Sequence, residues 1–290
     1  MKIFILFFAL LSTLSLSAQK KGIVFSEDFE SGSKERMTQN WDDTYNPEGM
    51  SFSADCPSES KGKQSLMMTY TPGADNGGFL YKMFPEGFDT LYARFYVKFI
   101  TKYSKVHHFV GMGGLNPPSK WPIGRAGIKP KGDEKFNSGV EPTGDWTWDF
   151  YTYWMNMHGY SDPNFFWGNS FNPNPPAKII HGEWICMEIM IILNNPVELS
   201  NGEQAFWVNG KKIIHLGRGF PEGYWKWDEF IQSPGTGCFE GFQWRNSDQL
   251  KINFFKLGYY MTKGTPGEID KVLFDDVVVS TKYIGPLKQD

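Results

Sequence analysis

Apolar and polar residues alternate with a period of two along several stretches of this chain, and no long stretch carries helical spacing. In Arg94-Phe-Tyr-Val-Lys-Phe99 the apolar row is Phe95, Val97 and Phe99, with Arg94, Tyr96 and Lys98 on the opposite face. Ile185, Met187, Ile189, Ile191 and Leu193 form a second apolar row, whose reverse side begins Trp184, Cys186, Glu188. Two β-prone runs, 205–208 and 211–216, flank Asn209-Gly210, a strong hairpin signal because both turn positions favour residues that tolerate positive φ. Further strands are expected over 250–261 and 272–283. A strand over 24–30 opens the fold and is able to pair with the closing one. With 18 Pro and 31 Gly as punctuation, the pattern predicts an all-β chain folded as a two-sheet antiparallel β-sandwich. Two Pro- and Gly-rich stretches, 113–147 and 164–176, are expected as long ordered loops packed by Trp121, Trp146, Trp148, Phe165, Phe166 and Trp167.

The N-terminus bears on where the protein works. Lys2, an apolar run over 3–11 and the small residues Ser15, Ser17 and Ala18 read as a secretory signal peptide over 1–18. Residues 19–290 then form one domain, since no linker, repeat or composition break divides them. No later apolar run reaches the ~18 residues of a spanning helix, so no membrane association is expected after cleavage. The 29 Lys and Arg against 32 Asp and Glu, a net charge of −3, exclude a polycationic nucleic-acid binder. Cys56, Cys186 and Cys238 allow at most one disulfide, and neither they nor the five His have zinc-site spacing. No glycine-rich phosphate or dinucleotide motif occurs, so no cofactor is expected to be required. A monomer is expected. The 25 Phe, 13 Tyr and 11 Trp suit either a large β core or a surface that stacks sugar rings.

Three segments resemble a known family. Phe25-Ser-Glu-Asp28-Phe29-Glu30, Tyr92-Ala-Arg94-Phe-Tyr96-Val-Lys98-Phe99 and Phe274-Asp275-Asp276-Val-Val-Val-Ser-Thr-Lys-Tyr283 are similar to secreted polysaccharide lyases with the concanavalin-like jelly roll, as in alginate and glucuronan lyases. The resemblance covers most of 19–290 and implies that fold. Phe254-Phe255-Lys256-Leu257-Gly258-Tyr259-Tyr260 resembles the Tyr-Phe-Lys-x-Gly-x-Tyr strand of these enzymes, which implies a catalytic Tyr260 with Lys256 on the same face. Lys105-Val106-His107 stands where a Gln-Ile-His strand is expected. The chain departs from the pattern at Lys105, Phe254 and Thr262.

Lyase chemistry explains why such residue types would gather. Removing the C5 proton of a uronate and expelling the 4-linked oxygen needs a base, a proton donor and a partner for the sugar carboxylate. The expected catalytic set is His107, Tyr260, Arg94 and Lys98. Tyr96, Lys105, His108, Glu188 and Lys256 are expected to bind an anionic polysaccharide or oligosaccharide. This requires the rows on 94–99, 105–109 and 256–260 to share one sheet, with Gly258 leaving room for a sugar ring. Of the adjacent histidines, alternation turns one inward, and His107 is the expected catalytic one. Asp28 and Asp276 are candidate ligands for a structural Ca²⁺, or else solvated edge charges. Two other functions stay open. One is a non-catalytic carbohydrate-binding protein. The other is a glycoside hydrolase, which needs paired carboxylates where Glu188 stands alone.

Overall fold

A computed structural model describes residues 22–120, 126–160 and 165–288; the leader expected at 1–18 and Trp121 lie outside them. The first seven strands are β1 (Ile23–Glu27), β2 (Asp43–Tyr45), β3 (Met50–Ser53), β4 (Ser65–Tyr70), β5 (Gly77–Phe88), β6 (Thr90–Phe99) and β7 (Val110–Leu115). Then come β8 (Lys135–Pro142), β9 (Trp148–Tyr153), β10 (Asn169–Phe171), β11 (Ile185–Ile192), β12 (Glu203–Val208) and β13 (Lys211–Leu216). The last four are β14 (Gly223–Lys226), β15 (Glu229–Gln232), β16 (Ile252–Tyr260) and β17 (Asp270–Ser280). One short α-helix, Lys34–Gln39, is capped by the Ser33 hydroxyl.

The strands build two sheets. The first runs β13-β12-β11-β6-β17-β4-β3, with β1 added along β17. The second runs β14-β15-β10-β9-β8-β7-β16-β5-β2. All pairings are antiparallel except β10 with β15. The first and last strands pair, Glu27 opposite Val277. Asn209 and Gly210 take φ of 50° and 77° in the β12–β13 hairpin, as the Asn-Gly pair predicts. Among the described residues no helix is long and apolar enough to cross a membrane, and all three cysteines are free.

The core lies between the sheets. Phe95 and Phe99 of β6 and Phe274 of β17 meet Phe109 from the other sheet at centroid distances of 5.4–6.4 Å. Burying each such ring stabilises the fold by about 1.5–3 kcal/mol.

The loop expected over 113–147 contains the end of β7 and all of β8, and the loop over 164–176 contains β10. In β8 the inward row is Phe136, Ser138, Val140 and Pro142. Ser138 is buried there because its hydroxyl pairs with Thr152 and Gln204, each at 2.8 Å. A hydroxyl in a core row breaks the apolar alternation that marks a strand in sequence.

Candidate functional site

The outward face of the second sheet carries a groove of about 410 Å³ whose floor is crossed by β5, β16, β7, β8 and β9. Residues just before β7 form its centre. The Asp270 carboxylate of β17 accepts from the Thr101 hydroxyl and from the amides of Tyr103 and Ser104, at 2.8–2.9 Å. Val106 and Phe109 are then driven into the core at 2% and 1% exposure. Between them the amides of His107 and His108 both donate to the Tyr260 carbonyl, at 2.8 and 3.2 Å. Two residues opposite one is the arrangement of a β-bulge, which breaks strict alternation.

Both histidines therefore line the groove, and neither turns inward. Their ring centroids lie 4.3 Å apart, and 5.7 and 5.9 Å from that of Tyr260, on which His108 stacks at 12°. Phe109, expected outside with Lys105 and His107, is a core residue because the bulge shifts the phase. Lys105 is exposed at the groove's edge.

Three further features set the electrostatics. Lys256 on β16 is 7% exposed, with Nζ 5.2 Å from the Phe79 ring centroid, and burial pushes its pKa down to about 8. His108 Nδ1 lies 2.9 Å from Glu141 Oε1 on β8. A carboxylate oxygen accepts, so the ring hydrogen sits on Nδ1 and Nε2 is left for a ligand. His107 is held below the ordinary histidine range, first by desolvation and then by His108, and is neutral at neutral pH. Tyr151 and Tyr153 on β9 complete one wall, with hydroxyls 3.4 Å apart.

Glu141, Tyr151, Tyr153 and Phe79 are absent from the expected set. In β9, Trp148, Phe150 and Thr152 point in while Asp149, Tyr151 and Tyr153 point out. With aromatics on both faces, periodicity alone does not mark the strand's outer row. Gly258 has a different role from the one expected. A Cβ there would collide with the Phe79 ring, so the glycine makes room for Phe79, which stacks on Tyr260 at 5.5 Å.

Arg94, Tyr96, Lys98 and Glu188 do not join this groove. They sit on β6 and β11 of the other sheet, on its outward face, so the expected sharing of one sheet is corrected. Each has a structural partner there. Glu188 accepts the Ile284 and Gly285 amides, both at 2.8 Å, and the Tyr96 hydroxyl accepts from Leu287 N at 2.9 Å. Arg94 donates to the Asp276 carbonyl at 2.9 Å, and Lys98 pairs with Asp55 at 2.6 Å. The polar row on β6 marks a face covered by the C-terminal segment. Alternation reports that a strand has two faces and is silent on what covers the second.

Of the candidate metal ligands, Asp28 is exposed and its Oδ1 accepts the Glu30 amide. Asp276 instead has a buried Oδ2 without a hydrogen-bond partner, beside an equally unpartnered Asp275 Oδ2, and it adopts φ of 47°. Among the described residues no group of three or more Asp, Glu, His or Cys side chains is placed to hold a metal ion. The two aspartate oxygens suit a hard cation with the rest of its shell from backbone and water; Asp28 does not.

Two stacked sheets of this order, with a groove across the outward face of one, give the chain the fold of jelly-roll polysaccharide lyases. It resembles the alginate lyase Aly36B solved in complex with an alginate tetrasaccharide, at 12% identity and TM-score 0.59, covering 88% of this chain and 95% of that one. Alginate lyase vAL-1 from Chlorella virus is similar over 90% of this chain and 100% of its own, at 14% identity and TM-score 0.59. The endo-β-1,4-glucuronan lyase from the fungus Trichoderma reesei shares 15% identity at TM-score 0.50, with 90% and 96% covered. No family model and no curated protein matches the sequence.

Proposed function

We propose that the chain is an exported polysaccharide lyase that cleaves a uronate-containing glycan by β-elimination. The observation that carries this reading is the convergence of the His107, His108 and Tyr260 rings, within 6 Å of one another, in a groove that also holds the buried Lys256. Lys256 faces the sugar carboxylate and stabilises the charge that develops on it when C5 loses its proton. Neutral His107 takes that proton, the C5–H electrons form the C4–C5 double bond, and the C4–O bond breaks. The leaving oxygen takes a proton from the Tyr260 hydroxyl. Glu141 holds His108 so that its Nε2 reaches the same sugar.

Glycoside hydrolysis fits less well. Glu141 and Asp149 stand opposite each other across β8 and β9, but Glu141 is engaged by His108 and Asp149 accepts the Phe171 amide at 2.8 Å.

The test is the near-ultraviolet absorbance of the new double bond on alginate, glucuronan and mixed uronate polymers. His107→Ala and Tyr260→Phe should each lower the rate by ~10²–10³. Saturable binding with no absorbance, unaltered by either change, identifies a carbohydrate-binding protein instead. A Ca²⁺ held by Asp275 and Asp276 belongs to the same proposal as a stabiliser remote from the groove. It is supported by their unpartnered buried oxygens, and a melting temperature indifferent to Ca²⁺ and to chelator counts against it.

A further inference from the structure

The groove changes sign along its length. The part over β5, β16 and β8 offers Lys135 and Lys256 as its cations. An adjoining bay of about 470 Å³ extends past the histidines over β9, β10 and the β14–β15 turn. Its acidic lining beyond Glu141 is Asp228 and Glu229 together with Asp149, which keeps its proton at neutral pH, and Lys105 is the cation at its edge. The two hollows share His107, His108, Glu141 and Tyr151, so a sugar chain crossing the catalytic rings occupies both.

The bay's acids already burden one another. Burial lifts Asp149 to about 8, with Glu141 and Glu229 adding to the lift. Burial, then Glu229, lifts Asp228 as well. Glu229 accepts from Asn172 Nδ2 at 2.9 Å, and neither it nor Asp228 has an ion pair among the described residues. A further carboxylate from a sugar would enter this field against like charge. Hydroxyls of an uncharged sugar would instead find acceptors in Asp228 and Glu229 and polar partners in Ser170 and Asn172.

We propose that this bay is a subsite for an uncharged sugar, and that the substrate is a mixed polysaccharide in which the uronate at His107 and Tyr260 is flanked on the bay side by a neutral residue. The proposal takes the position of the uronate from the lyase reading above. It assigns Asp228 and Glu229 as specificity residues, through attraction for hydroxyls and repulsion of a second carboxylate.

Two readouts separate this proposal from the lyase reading. Calorimetric binding is compared between homopolyuronate oligosaccharides (alginate, glucuronan) and oligosaccharides that interleave uronate with uncharged sugars (gellan, hyaluronan), matched in length. The wild type should bind a mixed oligosaccharide on the order of tenfold tighter. Asp228→Asn combined with Glu229→Gln should narrow that gap by strengthening the homopolymer. Glu229→Gln alone gives a smaller shift of the same sign and serves if the double variant misfolds. Mixed oligosaccharides bound no tighter than homopolymers, or a gap untouched by the variants, overturns the bay. A preference that persists without any ultraviolet-absorbing product overturns the lyase reading and leaves the subsite standing.

Discussion

His107 and His108 are neighbours in sequence that share one hollow, and the two rings carry different chemistry because their contacts differ. His107, with no carboxylate on its ring, is held below the ordinary histidine range first by desolvation, whereas His108 is held through Nδ1 by Glu141. The rate should therefore depend on pH through two groups. The acid limb of kcat/KM belongs to His107 and should fall below its ordinary value of about 6.5. The alkaline limb belongs to Lys256, whose charge is lost near pH 8. Lys256→Arg keeps the cation at high pH, so its alkaline limb should move up by more than one unit, even if the rate is lower throughout. A wild-type profile flat from pH 5 to 10 would contradict both assignments. Of these residues, His107, Tyr260 and Lys256 were legible in the sequence through a local motif. Glu141 was not, because its strand hides a serine in the core, and the joint orientation of the histidines was not, because a bulge has no alternation signature.

At the scale of elements, the site depends on a loop tied down from the opposite sheet. Asp270 ends the polar side of that tie with three hydrogen bonds to 101–104, and its carboxylate is fully buried. Asp270→Ala leaves those donors unpaired. It should cost about 3 kcal/mol or more in urea unfolding, and should lower kcat/KM at least tenfold by loosening the 105–108 segment. The C-terminal segment is the contrasting case. Glu188 receives two amides from it on the far sheet, so Glu188→Ala should cost roughly 1.5–3 kcal/mol while kcat stays within about twofold. A large loss of kcat in a folded Glu188→Ala protein would return that strand to the catalytic machinery. Strands β1, β6, β11, β12, β13, β16 and β17 were visible as alternating rows or turn signals. The face each row presents was legible only where a local motif marked it, since a buried polar row under a C-terminal segment and a ligand-facing row alternate alike.

At the scale of the whole molecule, an acidic chain places a buried lysine and a buried aspartic acid on the same sheet, and the fold's stability should record both. Asp149 binds its proton in the folded state up to about pH 8, against about 3.9 when unfolded. Between those values the folded protein holds the extra proton, so stability falls as pH rises through that window. Lys256 is displaced the other way, to about 8 against about 10.4. There the unfolded chain holds the extra proton, so this contribution rises from pH 8 upward. Together they give urea unfolding free energies a minimum near pH 8. Asp149→Asn should flatten the descent, because the amide keeps the shape without the ionisation. Lys256→Met should flatten the ascent and raise stability below pH 8, where the wild type carries an ammonium in an apolar setting. Unfolding curves from pH 5 to 10 on the three proteins check this, and a wild-type curve that peaks at pH 8 would reverse both assignments. The same measurement bears on the proposed function, because an ammonium kept buried at the expense of stability needs a counter-charge, which in the proposed lyase a sugar carboxylate would provide.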